Sequence, residues 1–160
     1  MINVAEAKAA ILFKVNLPEP VSKPLIDALG HVLATDIYAK INIPAFKQSS
    51  MDGYAFKFTD VELPLVVKGE MAAGTSVKLS IENGEAARIF TGAPLPDGAD
   101  TVAMQEKVSV NLGKVLIQDP LLKPGANTRN KGSEVKSGAL AIQKDTYLSP
   151  AALGFIAGIG

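Results

Sequence analysis

The sequence predicts an α+β chain, with a small β-barrel or sandwich-like domain inserted into an elongated, discontinuous α/β domain. Three observations lead there. Helical periodicity is confined to the beginning and the end of the 160 residues. From about residue 42 to 135, short β-rich runs alternate with turn residues, the texture of a small barrel or sandwich. After that stretch the chain becomes helical again, so the middle reads as an insertion. Residues 1–41 and 136–160 are then expected to pack together as one unit, with 42–135 forming the β-rich domain. A chain of this length fits one ordinary domain or two small ones.

Residues 3–15 carry an amphipathic helical pattern, with Val4, Ala7, Ile11, Leu12 and Val15 on one stripe. Asn3 stands at the N-cap and Glu6 three residues on, the spacing of a capping box. Pro18, Pro20 and Pro24 stop the helix, and Val21 opens a short extended segment. Leu25–Ala34 is a second short helical pattern broken by Gly30, and Asp36–Ile41 alternates like a strand. In the middle, strands are predicted at 65–69, 74–77, 85–90, 101–104, 107–110 and 114–117. Asn83-Gly84 and Asn111-Leu112-Gly113 have the composition of hairpin connections. The last helix starts at Ser149, an N-cap followed by Pro150 at the first helical position. Its apolar residues Ala151, Ala152, Phe155, Ile156 and Ile159 run to Gly160, which reads as a cut in a longer chain rather than a terminus.

Composition narrows the function. Sixteen acidic and sixteen basic side chains balance to zero net charge. Such a chain exerts no general pull on nucleic acid or an anionic membrane, so neither is expected as a partner. The absence of cysteine excludes disulfides, thiolate catalysis and Cys-based metal sites. A lone histidine, His31, excludes multi-His metal sites and fits a structural or capping role. There is no basic segment leading into an apolar one at the start, and no apolar run approaches the roughly 20 residues that span a bilayer. A soluble, cytoplasmic protein is expected.

Three loops carry polar groups that could do chemistry. In the first, residues 43–56, Ser49, Ser50 and Asp52 place two hydroxyls and a carboxylate together, enough to hold a phosphate or a hydrated ion. The alternative is a tight Asp52-Gly53 turn with Tyr54 and Phe56 in the core. In the second, residues 88–106, a strand runs into Thr91-Gly92, where glycine allows a ligand close to the backbone. Asp97 and Asp100 fall far short of a coordination sphere and read as turn residues. In the third, residues 123–135, Arg129 and neighbouring backbone amides could bind an anion, or the segment could be a solvated connection.

Taken together and in order, these loops resemble one family. Phe46-x-x-Ser49-x-Met51-Asp52-Gly53-Tyr54-Ala55 is similar to the MDGYA segment of MoeA-type molybdopterin molybdenumtransferases and of the gephyrin E domain. Thr91-Gly92-Ala93-Pro94-Leu95-Pro96-x-Gly98-Ala99-Asp100, followed by Met104-Gln105-Glu106, resembles the TGAPLP…MQE segment. Gly125-x-Asn127-x-Arg129-x-x-Gly132 resembles GxNxRxxG, and Ala28–Ala34 resembles the early ALGRVLA stretch. The match is collinear over the whole chain.

The resemblance implies an enzyme of molybdenum cofactor biosynthesis that inserts molybdenum, supplied as molybdate, into adenylylated molybdopterin with release of AMP and help from Mg²⁺. It implies a homodimer fed by a MogA-type adenylyltransferase. It also implies two further domains, a MogA-like catalytic one and a C-terminal β domain, absent from this chain, in a full length of roughly 400 residues. The family's active site lies between the third domain of one subunit and the second of its partner, so this chain would supply the partner-facing half. By position, Asp52 and Thr91 match the residues linked to activity. Ser49, Arg129 and Glu134 match substrate-side positions, and no metal ligand is assigned. Glu134 is the loosest match, since Ser133 replaces the preceding glutamate. Lys47-Gln48 stands where many members carry Asp-Asn. Two readings compete with the transferase: a dimerisation or scaffold module, and a small anion-binding domain.

Overall fold

A computed structural model describes residues 2–16 and 18–160. It has the α+β class that the sequence predicts, with two α-helices and ten short strands among the described residues. Helix α1, Val4–Lys14, is closed at its start by the expected capping box. The Glu6 amide donates to Asn3 Oδ1 at 2.8 Å and the Asn3 amide donates to Glu6 Oε2 at 2.9 Å. None of its residues is buried. The second helical pattern shrinks to a single 3-10 turn, Leu25–Asp27, because Gly30 takes a φ of 78° that a continuing helix cannot use. Val21 falls in no strand.

Strand β1, Ile37–Tyr38, pairs antiparallel with β10, Leu140–Ile142. Isolated bridges Val32–Tyr147 and Ile43–Val135 flank that pair. Helix α2, Pro150–Ile159, starts as predicted, with Ser149 Oγ accepting from the Ala152 amide at 3.2 Å. It buries Ile159 and returns to the same region, where the Lys40 amide donates to Ile159 O.

The middle of the chain forms a six-stranded sheet from β3 (Gly53–Phe56), β4 (Leu65–Met71), β5 (Glu85–Ile89), β6 (Thr101–Met104), β7 (Val108–Asn111) and β8 (Lys114–Ile117). Its order is β6-β3-β5-β4-β8-β7. Successive residues point to opposite faces, and both faces are covered. Ala55, Ile89 and Val102 join Met71 and Ala93 on one side. Phe56, Ala86 and Ala103 join Leu65 and Val115 on the other. Burial on both faces is confined to β3, β5 and β6, whereas β4 alternates between buried and more exposed positions.

Two expectations fail here. Residues 74–77 form no strand, and Asn83-Gly84 makes no hairpin. β4 and β5 run parallel, a pairing that a two-residue turn cannot close. Residues 72–84 instead cross over and hydrogen-bond to the segment around Asp97, through Asp97 N to Leu79 O and Ile81 N to Asp97 O. The Asn111–Gly113 hairpin forms as expected, with Leu112 and Gly113 at positive φ joining β7 to β8. Among the described residues, no helix is long and apolar enough to cross a membrane.

Candidate functional site

The three polar loops meet around the tripeptide Lys47–Ser49. Strand β2, Gln48–Ser49, pairs antiparallel with β9, Thr128–Arg129, bringing the first loop to the third. On its other side the tripeptide bonds to the second loop. Ser49 N donates to Ala93 O, Gly92 N to Ser49 O, and Leu95 N to Lys47 O. Ser50 N donates to Asn127 O, whose own side chain reaches Val102 O at 2.9 Å. Segments far apart in sequence are thus woven into one corner by backbone hydrogen bonds.

Asp52 sits at that corner, half-buried, just before β3. Its Oδ1 accepts from the Thr91 amide and from Thr91 Oγ1, each at 2.7 Å. The Thr91 backbone bond, then its hydroxyl bond, and to a lesser degree the nearby Arg88 cation hold the Asp52 carboxyl below the usual aspartate range. The carboxylate is therefore fixed and charged, with its second oxygen uncommitted to Thr91. The glycine that follows is needed for a different reason from the predicted tight turn. Gly53 is the first residue of β3, and a Cβ there would lie 1.9 Å from Ala103 O on the adjacent strand. Gly92 serves backbone conformation, with φ at 82°.

The other assigned residues fall in different places. Ser49 is 1% exposed, and its hydroxyl donates to Met51 O at 2.6 Å. It shapes the turn leading to Asp52 and supports that loop from beneath the surface. Arg129 and Glu134 are exposed and pair at 3.5 Å, a surface contact that holds neither firmly. Asp100 is structural, accepting from Phe58 N and Thr101 Oγ1. His31 lies on the surface beside Leu29 O, outside this corner. Lys47 donates from Nζ to Asp100 O at 3.2 Å, which pins the loop despite its departure from the family's Asp-Asn.

Arg88, Gln105 and Glu106, which the residue types alone do not single out, also belong to this corner. Gln105 N donates to Asp52 O and its amide group to Glu106 Oε1. That side-chain bond is the main reason Glu106 is held below the usual glutamate range. The signal was present in Met104-Gln105-Glu106, directly after β6. Among the described residues, no group of three or more His, Cys, Asp or Glu could hold a metal ion. The Mg²⁺ implied by the resemblance does not fit the donors of this chain alone.

A family model described as the MoeA N-terminal region (domain I and II) matches residues 2–160. The chain belongs to this family. A molybdopterin molybdenumtransferase of Haemophilus influenzae is 34% identical over 163 residues, covering 100% of this chain and 40% of that protein. One from Nostoc is 36% identical over 137 residues, covering 81% of the chain and 31% of the relative. This MoeA N-terminal region therefore spans well under half the length of those relatives. The crystal structure of the molybdopterin biosynthesis MoeA protein from Pyrococcus horikoshii OT3 superposes with a TM-score of 0.88. It is 33% identical, over 98% of this chain and 43% of that one. The neighbour thus agrees with the α+β fold over almost the whole chain.

Proposed function

We propose that this MoeA N-terminal region supplies the partner-facing half of a molybdenum-insertion site. In this reading the full-length protein transfers molybdate-derived molybdenum into adenylylated molybdopterin and releases AMP. The observation that carries the proposal is the Asp52 carboxylate, fixed by two bonds from Thr91 and kept ionised. It joins the two loops on which the family resemblance rests most heavily. A preorganised, charged group of this kind can favour one charge distribution at a reacting centre without reorganising during the reaction. Arg129, exposed on β9 and only loosely held by Glu134, is free to turn toward an anionic substrate. The bridges from Val32–Tyr147 to Ile43–Val135 support a division into a discontinuous domain, 1–41 with 136–160, and an inserted domain, 42–135.

The full-length protein, given adenylylated molybdopterin and molybdate, is expected to release AMP and form the molybdenum cofactor. The 160-residue chain alone is expected to show no turnover, because half of the site is missing. Turnover by the chain alone would sink the composite-site reading, and an inactive full-length protein would sink the transferase reading. An upstream MogA-type adenylyltransferase would make the adenylylated substrate, and the cytoplasm is the compartment this reading assigns.

A second reading, a homodimerisation module, rests on α1. An eleven-residue helix is marginal in water without tertiary packing. This one nevertheless leaves Ile11, Leu12 and Phe13 uncovered. Light scattering on the chain is expected to give the mass of a dimer at micromolar concentration. A strict monomer would remove this reading.

A further inference from the structure

Arg88 is the only cation among the described residues that stands over two aromatic rings at once. Its guanidinium carbon lies 5.2 Å from the centre of the Tyr54 ring and 4.9 Å from that of Phe90. Tyr54 is its cross-strand partner on β3, and Phe90 follows directly on the end of β5, two residues after Arg88, so both rings lie against the one guanidinium. Held this way, the planar fork has little freedom left to lose when it forms hydrogen bonds. Nη1 donates to Gly53 O at 3.1 Å, and Nη2 donates to Gln105 Oε1.

These bonds close a ring. Gln105 N donates to Asp52 O, Asp52 leads to Gly53, Gly53 O is held by Arg88, and Arg88 returns to the Gln105 side chain. The Gln105 amide then fixes Glu106 Oε1 at 3.0 Å. Both carboxylates at this corner, Asp52 and Glu106, thus hang from a frame whose single cation is Arg88. We propose that Arg88 is a positioning residue of the Asp52–Thr91 site, setting the placement of Asp52 and Glu106 through Gly53 and Gln105. Its benefit to catalysis rests on the transferase reading; its control of the carboxylates does not.

Carboxylate titration by NMR on the 160-residue chain tests the placement directly. Arg88→Met keeps the length and apolar contact of the side chain but removes the fork and its charge. The Asp52 and Glu106 midpoints are both expected to rise. Arg88→Lys keeps the charge without the fork, so Asp52 should move back toward wild type while the Gly53 carbonyl shift stays displaced. Gln105→Leu changes an exposed residue and leaves the sheet intact. It should raise the Glu106 midpoint even if Arg88→Met folds poorly. In the full-length protein, Arg88→Met is expected to lower kcat about tenfold and change KM little. Unmoved midpoints in both Arg88→Met and Gln105→Leu would overturn the proposal. So would moved midpoints with an unchanged kcat. A wild-type protein without turnover would overturn the transferase reading alone, since the midpoints read the placement without it.

Discussion

A Gly53→Ala variant is expected to lose the cooperative unfolding transition of the six-stranded sheet, or to retain it with at least about 3 kcal/mol less stability. The added methyl would sit 1.9 Å from Ala103 O and 2.8 Å from Ala103 C. Both are backbone atoms of β6, so no side chain can swing aside. Relief would require β3 and β6 to part at Gly53↔Met104, next to the Tyr54↔Ala103 pair. That movement would disturb Ala55, Phe56, Val102 and Ala103, which belong to both buried clusters. Gly113→Ala is the control. Nothing lies within 4 Å of its Cβ position, so only the φ of 74° is unfavourable, a cost of about 1–2 kcal/mol. Thermal unfolding followed by circular dichroism separates the two, and equal effects would mean that the close strand approach is not what requires glycine.

An Asp52→Asn substitution in the full-length protein is expected to lower kcat by about two to three orders of magnitude with the fold unchanged. Asparagine retains the shape of aspartate and an oxygen to accept from Thr91, so what is lost is the negative charge. Thr91→Val keeps the backbone bond and removes only the hydroxyl bond to Asp52. Its kcat should therefore fall less. The pH profile distinguishes charge from shape. The Asp52 pKa is lowered in the folded chain, so its ionised form is fully present above the ordinary aspartate value and is lost as pH falls through the lower folded value. Without the Thr91 hydroxyl, the acid limb of activity should move to higher pH. Wild-type kcat in Asp52→Asn, measured by AMP release, would remove Asp52 from the reaction.

What the sequence made legible was local. The Asn3–Glu6 capping box, the Ser149-Pro150 start of α2 and the Asn111–Gly113 hairpin each depend on neighbours a few residues apart, and each forms. Non-local choices were not legible. The parallel pairing of β4 with β5 leaves no turn signature, so Asn83-Gly84 looked like a hairpin. The β2–β9 ribbon is two residues long and carries no periodicity, yet it joins the first loop to the third. At the site, residue types and resemblance pointed to Asp52 and Thr91 but could not distinguish a facing hydroxyl from a buried one. The burial of Ser49 beneath the Asp52 turn is visible only in the fold. Arg88 was hidden because a cation between two rings on one sheet face becomes visible only once β3 and β5 are in register.

The pairing of β1 with β10 also sets an order of events as the chain is made. Residues 37–38 find their partner only after residues 140–142 have left the ribosome, whereas everything that pairs in the six-stranded sheet lies between them. The long closure is entropically costly until the intervening segment has become compact. The sheet is therefore the unit that can fold first, and β1 must wait beside it unpaired. That interval is when a newly made chain is most exposed to chaperones, proteases and its own neighbours on the same messenger.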